Sequence, residues 1–189
     1  DLFCQSSTIF VRPYFDNVPN SNAFGAEIVW KDNDVPHVRP TIKTIEEMDS
    51  LEIPSPDAGL WAKMIDWWSQ MKQFTADTEI TFNKVKGEVK ALAPTASGIG
   101  PFTIAVDLVG ENFYWWLLEY PDSCHNFLAK ITEGLIRAEE YFRTLEPEPR
   151  CGFCLAEDSA QVISEAMFKE FCVPYVNRLY DKFGKGHAN

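Results

Sequence analysis

Short apolar runs alternate with longer amphipathic segments from about residue 80 to the end of the chain. Residues 80–93 and 151–156 have the length and the apolar content of strands. A helical stripe lies between them after Pro121, formed by Phe127, Leu128, Ile131, Leu135, Ala138 and Phe142. Strands that alternate with helices of ten or more residues are typical of parallel β/α units. The sequence therefore predicts an α/β fold.

The other segments of the chain predict shorter strands, loops and helices. Residues 1–54 predict short strands at 7–11 and 26–30, separated by loops rich in Asn and Pro. Three- and four-residue spacing of apolar side chains predicts a helix from about Ser55 to Phe74. Residues 98–101 predict a glycine-rich loop. We expect Ser164 to cap a late helix and Pro174 to kink or split it.

Composition narrows the class of protein. The chain has 189 residues, with 28 acidic and 17 basic side chains and a net charge of −11. We expect one domain, residues 1–189, that binds neither nucleic acid nor membranes, because basic residues are scattered and no apolar run approaches the roughly 20 residues of a membrane span. Five irregularly spaced cysteines and the lack of a secretory signal at the first residues favour the cytoplasm.

A polar group follows the predicted strand at 151–156. Glu157, Asp158 and Ser159 stand at its carboxyl end, where α/β proteins place their binding sites. Cys151 and Cys154 have the spacing of a redox pair or half a zinc site, but with no second pair we expect two buried thiols.

Three segments together resemble the uroporphyrinogen decarboxylase superfamily, which includes cobalamin-dependent methyltransferases. Residues 16–28 match a family pattern in which an aspartate, here Asp16, precedes a glycine, here Gly25, by nine residues. Residues 98–105 resemble the family's glycine-rich Pro-Phe-Thr loop. Residues 157–175 carry the Asp-Ser, Phe-x-Glu-Phe and Pro-Tyr elements at nearly the family spacing, and this segment is the most specific.

The resemblance implies part of a (β/α)₈ barrel. Such barrels need roughly 250 residues, and the matched segments correspond to early and middle strands of the family. We therefore expect a partial barrel that lacks the N-terminal and C-terminal strands, either from a truncated reading frame or completed by another chain. Exposed strand edges favour pairing of two copies, so we expect a homodimer.

The resemblance also implies a set of site residues for a small-molecule substrate. Asp16 corresponds to the family's catalytic aspartate, which accepts hydrogen bonds from pyrrole nitrogens of a porphyrinogen. Ser159 corresponds to a serine that contacts a substrate carboxylate, and we expect Asp158 to line the same pocket. Asp107 stands where decarboxylases carry a tyrosine, and there it would face the substrate.

Three functions follow as alternatives. The first is a decarboxylase that acts on a porphyrinogen or a related substrate and needs no organic cofactor. The second is a corrinoid or thiol methyltransferase, which would require zinc; His187 lies near the start of that branch's His-x-Cys element, although Asn189 replaces the cysteine. The third is a non-catalytic remnant that folds as a dimer.

Overall fold

A computed structural model describes residues 8–82, 85–146 and 153–184 of the chain. Strands in these residues form one three-stranded and two two-stranded sheets. They are β1 (Thr8–Val11), β2 (Glu27–Val29), β3 (His37–Arg39), β4 (Glu79–Phe82), β5 (Val85–Ala91), β6 (Gly98–Ile99) and β7 (Leu155–Ala156). The helices are α1 (Val18–Ala23), α2 (Ile45–Asp49), α3 (Gly59–Thr75), α4 (Pro101–Val109), α5 (Asn112–Glu119), α6 (Pro121–Leu145), α7 (Glu165–Phe171) and α8 (Val173–Phe183).

Parallel pairing connects distant parts of the chain. Strand β1 runs parallel to β5, with Thr8 opposite Glu88 and Val11 opposite Ala91, and β4 adds to β5 in the antiparallel direction. Strand β6, which follows β5 in the chain, runs parallel to β7. This arrangement confirms the α/β class. The described strands do not close into a barrel.

The strongest helical patterns in the sequence form helices where they were predicted. Helices α3 and α6 cover the two predicted stripes and run for 17 and 25 residues. The Ser164 hydroxyl accepts a hydrogen bond from the Met167 amide at 3.2 Å, as expected of an N-cap. Helix α7 ends at Phe171 and α8 begins at Val173, so the predicted late helix is split in two next to Pro174.

Two predictions about the glycine-rich and early segments are wrong. Residues 98–101 are not a loop, because Gly98 and Ile99 pair with β7 and Pro101 begins α4. Residues 18–23 form the short helix α1 rather than an irregular segment. Its sequence lacks an apolar stripe, and its buried Asn20 and Ser21 are instead satisfied by hydrogen bonds to other elements.

The core surrounds α6. Its apolar face packs against α2, α4, α5 and α8. Trp61 from α3 is fully buried and meets Phe24 and Phe142 edge to face, at ring-centroid distances of 5.9 and 6.1 Å. These contacts place α1, α3 and the segment that leads to β6 at fixed positions around one cavity. Within the described ranges, no helix combines the length and apolar character that crossing a membrane requires.

Candidate functional site

Asp16 lies just beyond the carboxyl end of β1. The preceding residue, Phe15, is buried and packs its ring against Trp67 at 4.7 Å between centroids. The backbone of Asp16 is left-handed, with φ of 57°, a conformation that few residues other than glycine adopt. The Asn17 amide donates a hydrogen bond to Asp16 Oδ1 at 2.8 Å. The anchored ring and the local hydrogen bond thus fix the position of one carboxylate.

Asp16 lines a cavity of about 160 Å³ between β1, α1, α3 and the segment that leads to β6. Its polar lining includes Arg12, Asn20, Thr95 and Ser97, and its apolar lining includes Met64 and Ile99. A larger open groove of about 970 Å³ lies along β4 and β5, but it contains none of the predicted site residues. We therefore take the smaller cavity, the Asp16 pocket, as the candidate site.

The buried carboxylate of Glu139, on α6, holds the wall of the Asp16 pocket. Glu139 is 1% exposed, and its Oε2 accepts hydrogen bonds from the Ala96 amide and the Thr95 hydroxyl, both at 2.9 Å. Its Oε1 pairs with Arg143 at 2.8 Å, so the buried charge is compensated. Residues 93–97 consequently lack the freedom of an ordinary loop.

A second network fixes α1 against the same wall. The Asn20 side chain donates to the Ala96 carbonyl at 2.9 Å and accepts from the Trp61 indole N–H at 3.0 Å. Both side chains are buried. Because each group has a partner, α1 keeps its polar face toward the pocket without the cost of an unsatisfied donor or acceptor.

Glu157 joins the end of β7 to the start of α4. Its carboxylate accepts hydrogen bonds from the Phe102 amide at 3.2 Å and the Thr103 amide at 2.8 Å, which are orphan donors of the helix. Gly100 makes room for this carboxylate, since a Cβ there would lie 2.5 Å from Glu157 Cδ. Burial raises the pKa of Glu157, and the two amide bonds lower it in part.

Asp107 lies on α4 and faces α1. The Ser21 hydroxyl donates to its Oδ2 at 2.5 Å, across 86 residues of sequence. Burial raises the pKa of Asp107, and the Ser21 hydrogen bond lowers it. Asp107 is not among the described residues that line the Asp16 pocket. Its carboxylate is engaged in the contact between α1 and α4.

Asp158 and Ser159 begin a short 3₁₀ helix after β7. The Ser159 amide donates to the Thr103 hydroxyl at 3.4 Å, and its carbonyl accepts from the Tyr114 hydroxyl at 2.8 Å. Asp158 is exposed. The structure thus brings Ser159 to the start of α4, beside Glu157, while Asp16 lies in the pocket next to β6. The substrate-binding roles of the four residues stay predictions.

The structure tests the prediction of two buried thiols for one of the two cysteines. Cys151 lies outside the described residues, and Cys154 is exposed, so the expectation of a buried thiol is wrong for Cys154. Across the described part of the chain, no three side chains of His, Cys, Asp or Glu are grouped as a metal site. His187 also lies outside that part.

Comparison with known proteins identifies the family. The model of the uroporphyrinogen decarboxylase family matches residues 11–189, which is nearly the whole chain. The chain therefore belongs to the uroporphyrinogen decarboxylase family, as its three sequence segments predicted. No curated protein matches it.

A solved methyltransferase from Methanosarcina mazei has a similar fold. The superposition gives a TM-score of 0.64 at 17% identity and covers 94% of this chain. The chain spans only 49% of the methyltransferase, about half its length. At this identity the likeness concerns the fold alone.

Three residues that matter to the site were not singled out for these roles by sequence reasoning. Arg12 lines the pocket, Glu139 holds its wall and Glu157 caps α4. Glu157 was noted only as part of a polar group after a strand. An arginine just past a predicted strand was a usable signal for Arg12, whereas Glu139 holds the pocket wall through Thr95 and Ala96, which lie more than 40 residues away.

Proposed function

We propose that this chain forms the substrate-binding part of a decarboxylase that acts on a porphyrinogen or a related pyrrole acid. The observation that carries the proposal is Asp16, a positioned carboxylate in a cavity at the end of a parallel strand. In α/β proteins such strand ends are where ligands bind. Membership of the uroporphyrinogen decarboxylase family supports this choice of reaction.

Asp16 acts as a hydrogen-bond acceptor and a fixed negative charge. Its carboxylate accepts hydrogen bonds from the pyrrole N–H groups of the substrate. A neutral side chain would form weaker hydrogen bonds to the same groups. When the pyrrole ring takes up a proton, it becomes a cation, and a nearby anion that is already oriented stabilises this charge.

The protonated ring then serves as the electron sink. The bond between the side-chain carbon and the carboxylate breaks, its electron pair moves toward the cationic ring, and CO₂ leaves. A second proton adds to the side-chain carbon, and the first proton leaves the ring. One proton thus replaces one CO₂, and the step needs no organic cofactor or metal.

Ser159 and Asp158 would contact the substrate from the end of β7. Support comes from the hydrogen bonds that hold the Ser159 backbone to Thr103 and Tyr114, because they fix the orientation of the start of the 3₁₀ helix. We assign Asp107 a different part in the proposal: its bond to Ser21 keeps α1, and hence the Asp16 pocket, in place.

The test is substrate binding and turnover by the full 189-residue chain. Uroporphyrinogen is added without oxygen, binding is followed by tryptophan fluorescence, and products are separated by their number of carboxyl groups. Asp16→Asn removes the charge and should weaken binding roughly 10- to 150-fold, the equivalent of about 1.5–3 kcal/mol for a charge-assisted hydrogen bond. Asp66→Asn, an exposed change on α3, serves as the matched control. Equal binding by the wild type and Asp16→Asn would contradict the proposal.

A methyltransferase is the second candidate, favoured by the fold of the Methanosarcina mazei protein. Residues 159–168 also resemble the corresponding segment of the methyltransferase branch, which is shorter than that of the decarboxylases. This function requires zinc, which activates a thiol. Stoichiometric zinc in the purified chain, together with methyl transfer from a methylated corrinoid to a thiol, would favour it over decarboxylation. A folded chain that performs neither reaction would be a non-catalytic remnant.

We also propose a homodimer. Among the described strands, β1 lies at the edge of its sheet, and its residues Ile9 and Phe10 are 49% and 55% exposed. Unprotected edges with apolar side chains favour pairing with another chain. Light scattering should give twice the 21.5 kDa mass of the chain, and a stable monomer would contradict this part of the proposal.

A further inference from the structure

Helix α5 buries one side in the core and leaves a second apolar side in solvent. Its buried residues are Phe113, Trp116 and Leu117. Trp115 and Leu118 lie three residues apart on the outward side, and each is 66% exposed. Because residues three apart are neighbours on a helix surface, the two side chains form one apolar patch. Exposed apolar patches with a polar rim are typical of interaction surfaces.

Carboxylates frame this apolar pair. Glu111 precedes Trp115 by four residues, Glu119 follows it by four, and both are exposed. Residues four apart share a side of a helix, so both carboxylates lie beside the patch. Residues 108–129 contain no lysine or arginine, and their other carboxylate is Asp122. We call Glu111, Trp115, Leu118 and Glu119 the α5 face, which is an apolar centre with a negative rim.

The charge of the α5 face selects the kind of partner. A second copy that met this face with its own α5 face would bring four carboxylates together, and juxtaposed like charges are strongly unfavourable. An anionic lipid surface attracts basic segments and would be repelled for the same reason. A basic partner, by contrast, would bring complementary charge to the rim while its apolar side chains cover the centre.

The spacing of the apolar pair selects the shape of the partner. Helices that pack along a common seam use apolar residues at alternating spacings of three and four, and charged residues beside the seam determine which partner is bound. Trp115 and Leu118 have the three-residue spacing, and Glu119 stands directly beside them. The α5 face therefore fits another helix laid along it.

We propose that the α5 face is the docking site for a basic amphipathic helix of another protein. The apolar side chains of that helix recur every three or four residues and are flanked by lysine or arginine. Trp115 is the main anchor, since tryptophan is frequent among the residues that dominate binding energy at interfaces. The proposal does not involve the Asp16 pocket, so it is independent of the proposed function.

The probe is a fluorescently labelled synthetic helix of leucine and lysine, roughly 14 residues or four turns long, with its leucines on one side. Fluorescence anisotropy follows its binding to the full chain. Trp115→Ala should weaken binding at least about 10-fold, because the aromatic anchor is lost. Leu118→Ala should weaken it as well. Replacing Glu111 and Glu119 by glutamine should weaken binding and reduce its sensitivity to salt.

Trp30→Ala is the matched control, because Trp30 is 58% exposed, lies outside α5 and also has carboxylates nearby in the chain, Asp32 and Asp34. This variant should bind the peptide as the wild type does. The substituted side chains are exposed, so urea midpoints should stay close to that of the wild type.

Three results with the peptides would overturn the proposal: no binding by the wild type, equal weakening by Trp115→Ala and Trp30→Ala, or equally tight binding of a leucine and glutamate version of the peptide. A dimer that Trp115→Ala converts to a monomer would overturn it in favour of a second copy on this face. Trp115-dependent binding to anionic lipid vesicles without binding to the basic peptide would overturn it in favour of a membrane.

Discussion

Replacing Gly100 by alanine should disrupt the junction between β7 and α4. The new Cβ would lie 2.5 Å from Glu157 Cδ and closer still to Oε1, so the carboxylate must move. Two hydrogen bonds to the Phe102 and Thr103 amides would be lost. Each hydrogen bond to a charged group contributes about 1.5–3 kcal/mol, whereas Gly→Ala recovers up to about 1 kcal/mol from the unfolded chain. The free energy of unfolding should therefore fall by at least about 2 kcal/mol.

Urea denaturation followed by tryptophan fluorescence measures this loss, and a double-mutant cycle identifies its cause. Glu157→Ala removes the group that Gly100→Ala would displace. In that background, Gly100→Ala should change the free energy of unfolding by less than about 1 kcal/mol in either direction. An equal loss in both backgrounds would refute the role of Glu157, and so would a Gly100→Ala protein as stable as the wild type.

Two further changes test the packing behind the pocket. Asp107→Asn should stabilise the chain increasingly as pH rises, because burial raises the pKa of Asp107 and its ionised form is disfavoured in the folded state. Urea midpoints from pH 4 to 8 measure this; a difference between variant and wild type that stays constant with pH would contradict it. Glu139→Ala leaves the buried Ala96 amide without its acceptor and should cost about 1–3 kcal/mol, measured in urea. Glu140→Ala, which breaks an exposed ion pair, should cost less than about 1 kcal/mol, and equal costs would contradict the assignment.

The elements that could be predicted are those whose cause is local. Helices α3 and α6 bury a continuous stripe, so the spacing of their apolar residues is visible in the sequence. The Ser164 cap and the split next to Pro174 are also local, because each depends on residues within one turn.

Helix α1 shows why other parts could not be predicted. Its sequence, Val-Pro-Asn-Ser-Asn-Ala, is polar and short, yet Asn20 is 4% exposed and Ser21 is fully buried. Their partners are Ala96, Trp61 and Asp107, at least 41 residues away in the chain. Such a helix is stabilised by tertiary hydrogen bonds, and these leave no periodic pattern in the sequence.

The candidate site also has one residue that could be predicted from the sequence and supporting residues that could not. Asp16 was identified through its resemblance to a family segment, and the structure places it in a cavity at a strand end. The roles of Glu157 and Glu139 could not be predicted, because they arise from contacts across the fold. Glu157 reaches amides 54 and 55 residues away, and Glu139 reaches Ala96 across 43 residues. Only a three-dimensional arrangement shows that these carboxylates hold the pocket and its neighbouring helix.

The most direct test of the proposed function is a crystal structure of the chain with uroporphyrinogen, prepared without oxygen. We expect one pyrrole ring in the Asp16 pocket, with its N–H group within about 3 Å of the Asp16 carboxylate. A ligand bound elsewhere, or bound in this pocket without contacting Asp16, would contradict the central claim that Asp16 marks the substrate site.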